Sequence, residues 1–317
     1  MRGYLITGGG GFIGSSIAHH LVAKGFRPRI LDNFSTGRRE NLADIADRIE
    51  LIEGDVRDPA TAAKACEGMK YVLHQAAIPS VPRSMAQPIE TNDANVGGTL
   101  NMLVAARDAG VRRFVYAGSS SVYGESPTLP KVETQPPDPL SPYAIAKLAG
   151  ELYCRTFSRN MGLETVVLRY FNVFGPRQDP HSQYAAVIPK FLECIARGES
   201  PTVYGDGTQS RDFTFVDNVV AANLLACSAP GASGQVINVA CGERFTLIEL
   251  CAHLCQILGR EVMPERLPAR PGEIKHSLAS IEKARQLLGY EVVVPFQEGL
   301  RRLVAWSQVA QGHEIAA

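Results

Sequence analysis

The chain has no surplus of either charge: lysine plus arginine and aspartate plus glutamate stand at 32 each in 317 residues. Without a basic excess nothing points to nucleic acid or to an anionic membrane surface, so a small molecule is the default partner. No apolar run reaches transmembrane length. No leader-like stretch opens the chain, because Met1 runs straight into a strand-like segment. A cytoplasmic protein without a membrane-bound part is therefore expected. Cysteines are few, 7 in all, odd in number and scattered. That pattern excludes a disulfide framework and reads as reduced, mostly buried thiols. Cys251 and Cys255 share one face of a predicted helix, but His253 points away from both, so no metal site is expected. What remains is ordinary for a soluble globular protein: 45% hydrophobic and 20% charged residues, in a length that fits one large domain or two unequal ones.

The first half alternates short apolar runs with amphipathic stretches. Tyr4–Thr7, Arg29–Asp32, Glu50–Glu53, Tyr71–His74 and Phe114–Ala117 read as strands. Phe12–Lys24, Pro59–Cys66 and Thr91–Ala109 read as helices between them. That rhythm predicts an α/β fold, a Rossmann-type doubly wound parallel sheet. Two further strands, near Thr165–Tyr170 and Val236–Val239, extend it. From Gly175 onward Pro, Gly and polar residues become frequent and the rhythm is lost. The expectation is a dinucleotide domain over 1–174, with later strands around 203–240 interleaved, and a smaller C-terminal α/β substrate lobe over 175–311. Gln311–Ala317 reads as a tail.

Two motifs carry chemistry. Thr7-Gly-Gly-Gly-Gly-Phe-Ile-Gly14 places Gly8, Gly11 and Gly14 directly after a strand. Such a turn lets backbone N–H groups approach a dinucleotide diphosphate at a helix N-terminus. Asp32 ends the second strand, where a carboxylate accepts from a ribose diol and repels a 2′-phosphate, so NAD is expected rather than NADP. Arg38 and Arg39 lie past that strand and read as solvated. Asp55, after the third strand, is placed to reach an adenine amine. The second motif is Ser141-Pro-Tyr-Ala-Ile-Ala-Lys147. Ser141 is a good N-cap and Pro142 a good first helical residue. Four apart on a helix, Tyr143 and Lys147 share a face with Cβ atoms about 5–6 Å apart. An ammonium beside a phenol favours the phenolate, which can serve as a base near neutral pH.

With these residues in hand, the chain resembles the extended short-chain dehydrogenase/reductases, and it is most similar to the UDP-hexose 4-epimerases, from Tyr4 to about Trp306. The segments that carry the resemblance include His74-Gln-Ala-Ala77, Ser119-Ser-Ser-Val-Tyr-Gly124, Arg169-Tyr-Phe-Asn-Val-Phe-Gly175, Ser210-Arg-Asp-Phe-Thr-Phe-Val216 and Arg270-Pro-Gly-Glu273. Gln75, Ser80-Val-Pro-Arg-Ser84 and His276-Ser-Leu278 look like the bacterial UDP-N-acetylglucosamine 4-epimerases. The resemblance implies NAD as cofactor and a UDP-sugar as substrate, most readily UDP-GlcNAc or UDP-GalNAc and extending to their uronic acids. UDP-glucose and UDP-galactose, another nucleotide-sugar oxidoreduction and a non-enzymatic dinucleotide sensor are the competing readings.

The resemblance also implies roles. Phe12, Ile13, Asn33, Ser35, Gly37 and Val56 join the glycines, Asp32 and Asp55 around the dinucleotide. Gln75, Ala76, Ala77, Asn95 and Tyr170 join Tyr143 and Lys147 around the nicotinamide. Ser119 passes the sugar O4 proton to Tyr143, while Ser120 and Ser121 offer the hydroxyl from neighbouring positions. Asn172 holds a phosphate, Arg211 and Arg270 clamp the diphosphate, and Glu273 takes the uridine ribose. Ser80, Gln178, Ala186, Val187 and Ile188 line the substrate side, with Val203 and Tyr204. Ser277 gates the sugar pocket, and Pro79 stands in the sugar-facing loop. The related 4,6-dehydratases carry an Asp-Glu pair where this chain has Ser119-Ser-Ser121, so dehydration lacks its acid and base. Finally, Thr91–Ala109 (Leu100, Leu103, Val104) and the Tyr143 helix (Leu148, Leu152, Phe157) carry apolar residues beyond one stripe. A homodimer built on a four-helix bundle is therefore expected.

Overall fold

The computed structural model describes residues 3–179, 187–268 and 275–310. Its centre is a seven-stranded, all-parallel sheet. The strands are β1 (Tyr4–Thr7), β2 (Arg29–Asp32), β3 (Glu50–Glu53), β4 (Tyr71–His74), β5 (Arg113–Ser119), β6 (Glu164–Tyr170) and β7 (Gln235–Val239). They lie in the order β7-β6-β5-β4-β1-β2-β3. The chain leaves β1 toward β2 and β3, then returns to the other side of β1 at β4. Ligands of such sheets bind where the winding reverses, beyond the carboxyl ends of the strands. Here that crevice lies past Thr7, which pairs with Leu31 on one side and His74 on the other.

Parallel strands read as continuous apolar runs because helices cover both faces. One face buries Ile6, Ile30, Leu73, Val115 and Leu168 against the helices α1 (Phe12–Ala23) and Val216–Ser228. The other buries Leu5, Leu31, Val72 and Phe114 against α2 (Pro59–Cys66), α3 (Gly98–Asp108) and α4 (Pro142–Asn160). A third apolar cluster sits apart. Its aromatic centre joins Phe245 to Phe296 at 4.2 Å and Phe174 to Phe215 at 5.5 Å. It packs helices Val187–Ala196, Leu247–Leu258 and Phe296–Ala310.

α4 starts where the capping signal says. The Ser141 hydroxyl accepts from Ala144 N at 3.2 Å, with Pro142 as first helical residue. A cap of this kind contributes about 1 kcal/mol. The helix is pinned to β6 by a buried fork in which Arg169 donates to Glu151 at 2.6 and 3.0 Å. Removing one partner of such a pair costs about 3–5 kcal/mol.

The expected single helix over Thr91–Ala109 is instead three pieces: Pro88–Asn92, a π-turn at Asp93–Gly97, and α3. The widened turn falls where Gly97 and Gly98 weaken the helix and where Asn95 turns its side chain onto another segment. Among the described residues no helix is long and apolar enough to cross a membrane, and no three His, Cys, Asp or Glu side chains are grouped to hold a metal ion.

Candidate active site

The β1–α1 turn cannot carry side chains. Gly8 has φ +67°, and a Cβ there would lie 2.7 Å from the Ala76 backbone. A Cβ on Gly14 would lie 2.2 Å from the Gly8 carbonyl oxygen. The N-cap of α1 is Gly11, which offers no side-chain cap. The positive end of the helix therefore faces the crevice through backbone amides, an arrangement that suits a diphosphate.

Asp32 is buried at the end of β2, where its carboxylate accepts from Gly10 N at 2.8 Å and Phe34 N at 2.7 Å. Burial raises its pKa despite those two bonds. Each oxygen keeps a lone pair, which fits a ribose diol. Asp55 is more heavily engaged. The Arg57 fork and the Asn33 amide occupy both its oxygens and, led by the Arg57 bond, pull its pKa down to about 2.

A first cavity is lined by the Gly8–Gly14 turn including Phe12 and Ile13, and by Asp32, Asn33, Ser35, Gly37, Asp55 and Val56. Gln75, Ala76, Ala77, Tyr143, Lys147 and Tyr170 close its other end. The residues expected around a dinucleotide thus meet in one pocket, with one exception. Asn95 is buried behind the wall, where its amide accepts from Ile78 N at 2.7 Å and donates to Ile78 O at 3.2 Å. It holds the Gln75–Ile78 loop rather than facing the pocket. Glu90, Ala94 and Gly118 line the pocket too, and no sequence signal marks them.

The tyrosine and lysine differ from expectation in one respect. Lys147 donates its ammonium to the Ala117 carbonyl at 2.9 Å and lies 5.9 Å from the centre of the Tyr143 ring. Burial raises the Tyr143 pKa, and the group that offsets it is the Ser119 hydroxyl, not the lysine. Ser119 in turn accepts from Ser121 N at 3.2 Å and Ser121 Oγ at 2.8 Å. Its own proton is thereby left for an acceptor other than Ser121, and Ser119 is the serine whose hydroxyl lowers the Tyr143 pKa.

Burial also pushes the Lys147 pKa down from 10.5 to about 8. In the ligand-free fold the charged lysine is therefore a destabilising group. The penalty is complete below about pH 8, where folded and unfolded chains both carry the proton, and fades as pH climbs toward 10.5. Lys147→Met should stabilise the ligand-free protein at pH 7 by roughly 1–3 kcal/mol in denaturant titrations, and by less at pH 10. A gain that grows with pH would contradict this origin.

Beside the first cavity lies a cleft of 1220 Å³. Tyr143 and Tyr170 line both. Ser80, Ser119, Ser120, Ser121, Asn172 and Gln178 face the cleft, as do Arg211 and Ser277. Val187, Ile188, Val203 and Tyr204 are not on its wall among the described residues. Ile188 and Val203 are buried in the third apolar cluster and Val187 packs against it, while Tyr204 ends a short strand, Thr202–Tyr204. Ala186, Arg270 and Glu273 lie outside the described residues.

Both early arginines are exposed, as expected, and each has an ionic partner. Arg38 pairs with Asp179 at 3.2 Å on the cleft wall. Arg39 pairs with Glu53 at 2.6 Å and lies over the Phe34 ring. Arg177 also lines the cleft, at φ +68°, with Nη2 on Ser16 Oγ at 3.1 Å and a buried, unpartnered Nε. Its motif, Gly175-Pro-Arg, was visible in the sequence, but its inward turn was not.

A family model for the NAD dependent epimerase/dehydratase family matches residues 4–240. A UDP-N-acetylglucosamine 4-epimerase from Methanobrevibacter ruminantium, solved in complex with UDP-N-acetylmuramic acid, is 40% identical over 98% of this chain and 99% of its own, with a TM-score of 0.93. A UDP-glucose 4-epimerase from Thermus thermophilus, solved with NAD, is 36% identical over 98% of this chain and 100% of its own, with a TM-score of 0.88. The UDP-glucose 4-epimerase of Mycolicibacterium smegmatis is 38% identical over 304 residues, 95% of this chain and 96% of its own. Likeness of this extent, over a glycine turn and an acidic strand end that suit a dinucleotide, means that the chain belongs to the NAD-dependent epimerase/dehydratase family and that its cofactor is NAD.

Proposed function

We propose that this NAD-dependent UDP-sugar 4-epimerase interconverts UDP-GlcNAc and UDP-GalNAc through a transient 4-keto sugar. The observation that carries the reading is Tyr143, which lines both the dinucleotide pocket and the large cleft and is joined to Ser119. A base at that junction serves a carbon whose hydrogen must cross from one cavity to the other. When bound, NAD supplies the acceptor and donor for the C4 hydrogen with its electron pair, and a positive charge that favours the phenolate. Tyr143 Oη takes the O4 proton, Ser119 stabilises the phenolate by donating to it, and Ser121 holds Ser119. Lys147, within 5.9 Å of the ring centre, adds a positive charge in a site where little water competes.

Asn172 and Arg211 anchor the diphosphate from the cleft wall. The 4-keto sugar then turns about that anchor and offers its other face, and Tyr143 returns the proton. Ser119-Ser-Ser121 contains no carboxylate, which speaks against proton removal at C5 and hence against dehydration. Ser277 leaves room for an N-acetyl group and offers it a hydroxyl.

A second reading, extension to the uronic acids, is favoured by Arg177. It is a half-buried guanidinium on the cleft wall with no carboxylate in ion-pair range among the described residues. The test is a panel of UDP-GlcNAc, UDP-Glc and the matching uronic acids, incubated with purified protein and no added NAD. Conversion of UDP-GlcNAc is expected to be fastest. A strong preference for UDP-Glc would overturn the substrate assignment and leave the reaction class standing.

The protein acts as a homodimer in this reading, and of the residues the sequence suggested Leu152 alone is exposed. Leu103 and Phe157 are buried within the chain, Leu100 and Val104 pack on the second cluster, and Leu148 packs on the first. Leu152 is exposed on α4 together with Ile145, and Ile89 and Met85 are exposed beside it, all 50–77% accessible. Side chains of that size need a covering partner, and a second copy paired helix to helix supplies one. Light scattering at micromolar concentration should give twice the chain mass. A monomer would refute it.

A further inference from the structure

Asn223 is fully buried on helix Val216–Ser228 and has no role assigned above. It is the hub of a closed set of hydrogen bonds whose directions can be derived. Its Nδ2 lies 2.8 Å from the Val219 carbonyl, which can only accept, so that end of the amide must be the nitrogen. The same Nδ2 donates to Tyr170 Oη at 2.8 Å. Asn223 Oδ1 is thereby fixed as an acceptor, so the Gln75 atom beside it must be Nε2, which leaves Gln75 Oε1 to take the Tyr170 proton at 3.1 Å. Gln75 Nε2 returns the ring by donating to Asn223 Oδ1 at 3.1 Å. Gln75 and Tyr170 line the dinucleotide pocket at its Tyr143 end, and the ring uses only one of the two Gln75 amide protons.

We propose that Asn223 is a positioning residue for the cofactor. Directly through its Oδ1 and indirectly through Tyr170 it sets how the Gln75 amide is turned, so that Gln75 presents an N–H donor to the carboxamide oxygen of the nicotinamide. A freely turning glutamine offers an acceptor as readily as a donor. The Val219 carbonyl removes that choice two residues away, and a closed ring of three bonds is stiffer than any one of them. The inference rests on the cofactor being NAD and is independent of which sugar is used.

The test is the rate of NAD release on dilution, with NAD content per subunit, in the wild type, Asn223→Leu, Gln75→Met and the double variant. Methionine keeps the length of glutamine without its N–H. Each single variant should release NAD about tenfold faster or more, as loss of one well-placed hydrogen bond implies, and the double variant should be no worse than Gln75→Met. KM for UDP-GlcNAc should stay within about twofold of wild type, which a general loosening of the fold would not allow. Costs that add in the double variant, or release within about twofold of wild type in both single variants, overturn the proposal. If Asn223→Leu does not fold, Asn223→Asp, which keeps the shape but loses the Nδ2 protons, takes its place under the same limits. A wild type that carries no NAD instead sinks the cofactor assignment on which the inference stands.

Discussion

Tyr143→Phe should lower turnover by about two orders of magnitude or more, the usual cost of losing a general base. The substitution deletes one oxygen and leaves the ring on the wall between the two cavities. The Ser119 hydroxyl then has no phenol to donate to, and the O4 proton has no acceptor. KM for the UDP-sugar should barely move, because Asn172 and Arg211 are on other elements of the cleft wall. NAD content should be unchanged, since the glycine turn and Asp32 are untouched. Steady-state rates and cofactor content on the same preparation check all three statements. Near-normal turnover would eliminate Tyr143 as the base.

Ser277→Tyr should slow UDP-GlcNAc and UDP-GalNAc by about tenfold or more while leaving UDP-Glc and UDP-Gal within a few-fold, because overpacking penalises the larger ligand. Ser277 is half-buried on the cleft wall, and its N–H donates to Ser210 O at 2.9 Å. Its neighbour His276 bonds the Ser210 hydroxyl, also at 2.9 Å. The backbone is thus held on both sides, and a tyrosine ring has no room to retreat by shifting the chain. The volume it adds falls in the cleft. Equal slowing of both substrate classes would mean that the ring disturbs the catalytic residues. Pro79, on the wall of both cavities, would then be the next candidate for shaping the sugar site.

The parts of this account that were legible in the sequence are the local ones. β1 to β4 begin and end at the residues expected; β1, β2 and β4 do so because a strand covered on both faces must be largely apolar, whereas β3 is an exposed edge strand with only Leu51 and Ile52 apolar. The start of α4 follows from Ser141 and Pro142, whose effects act within one helical turn. The glycine turn and Asp32 meet because β1 and β2, joined by one strand-helix-strand crossover, lie side by side in the sheet.

What could not be read depends on groups far apart in sequence. Whether Lys147 faces Tyr143 or a carbonyl is decided by Ala117, which lies on β5. Asn95 is spaced correctly for the pocket, yet it spends its amide on Ile78 across a π-turn that no periodicity announces. Val203 and Ile188 sit among substrate-side motifs but are taken up by the third apolar cluster. Arg38 stays exposed, as read, but the partner that the fold brings to it, Asp179, is 141 positions away in sequence. In each case the residue type was informative and the partner was not.

The central claim is that this chain removes the C4 hydrogen of a UDP-sugar and returns it to the opposite face through a cofactor it keeps. The most direct measurement is the fate of that atom. Purified protein, with no added NAD, is given UDP-GlcNAc carrying deuterium at C4 in ordinary water, and the products are examined by NMR and mass spectrometry. The account predicts UDP-GalNAc with the deuterium retained at C4. Product that has lost the label to solvent, or no product until NAD is supplied in proportion to turnover, would contradict it.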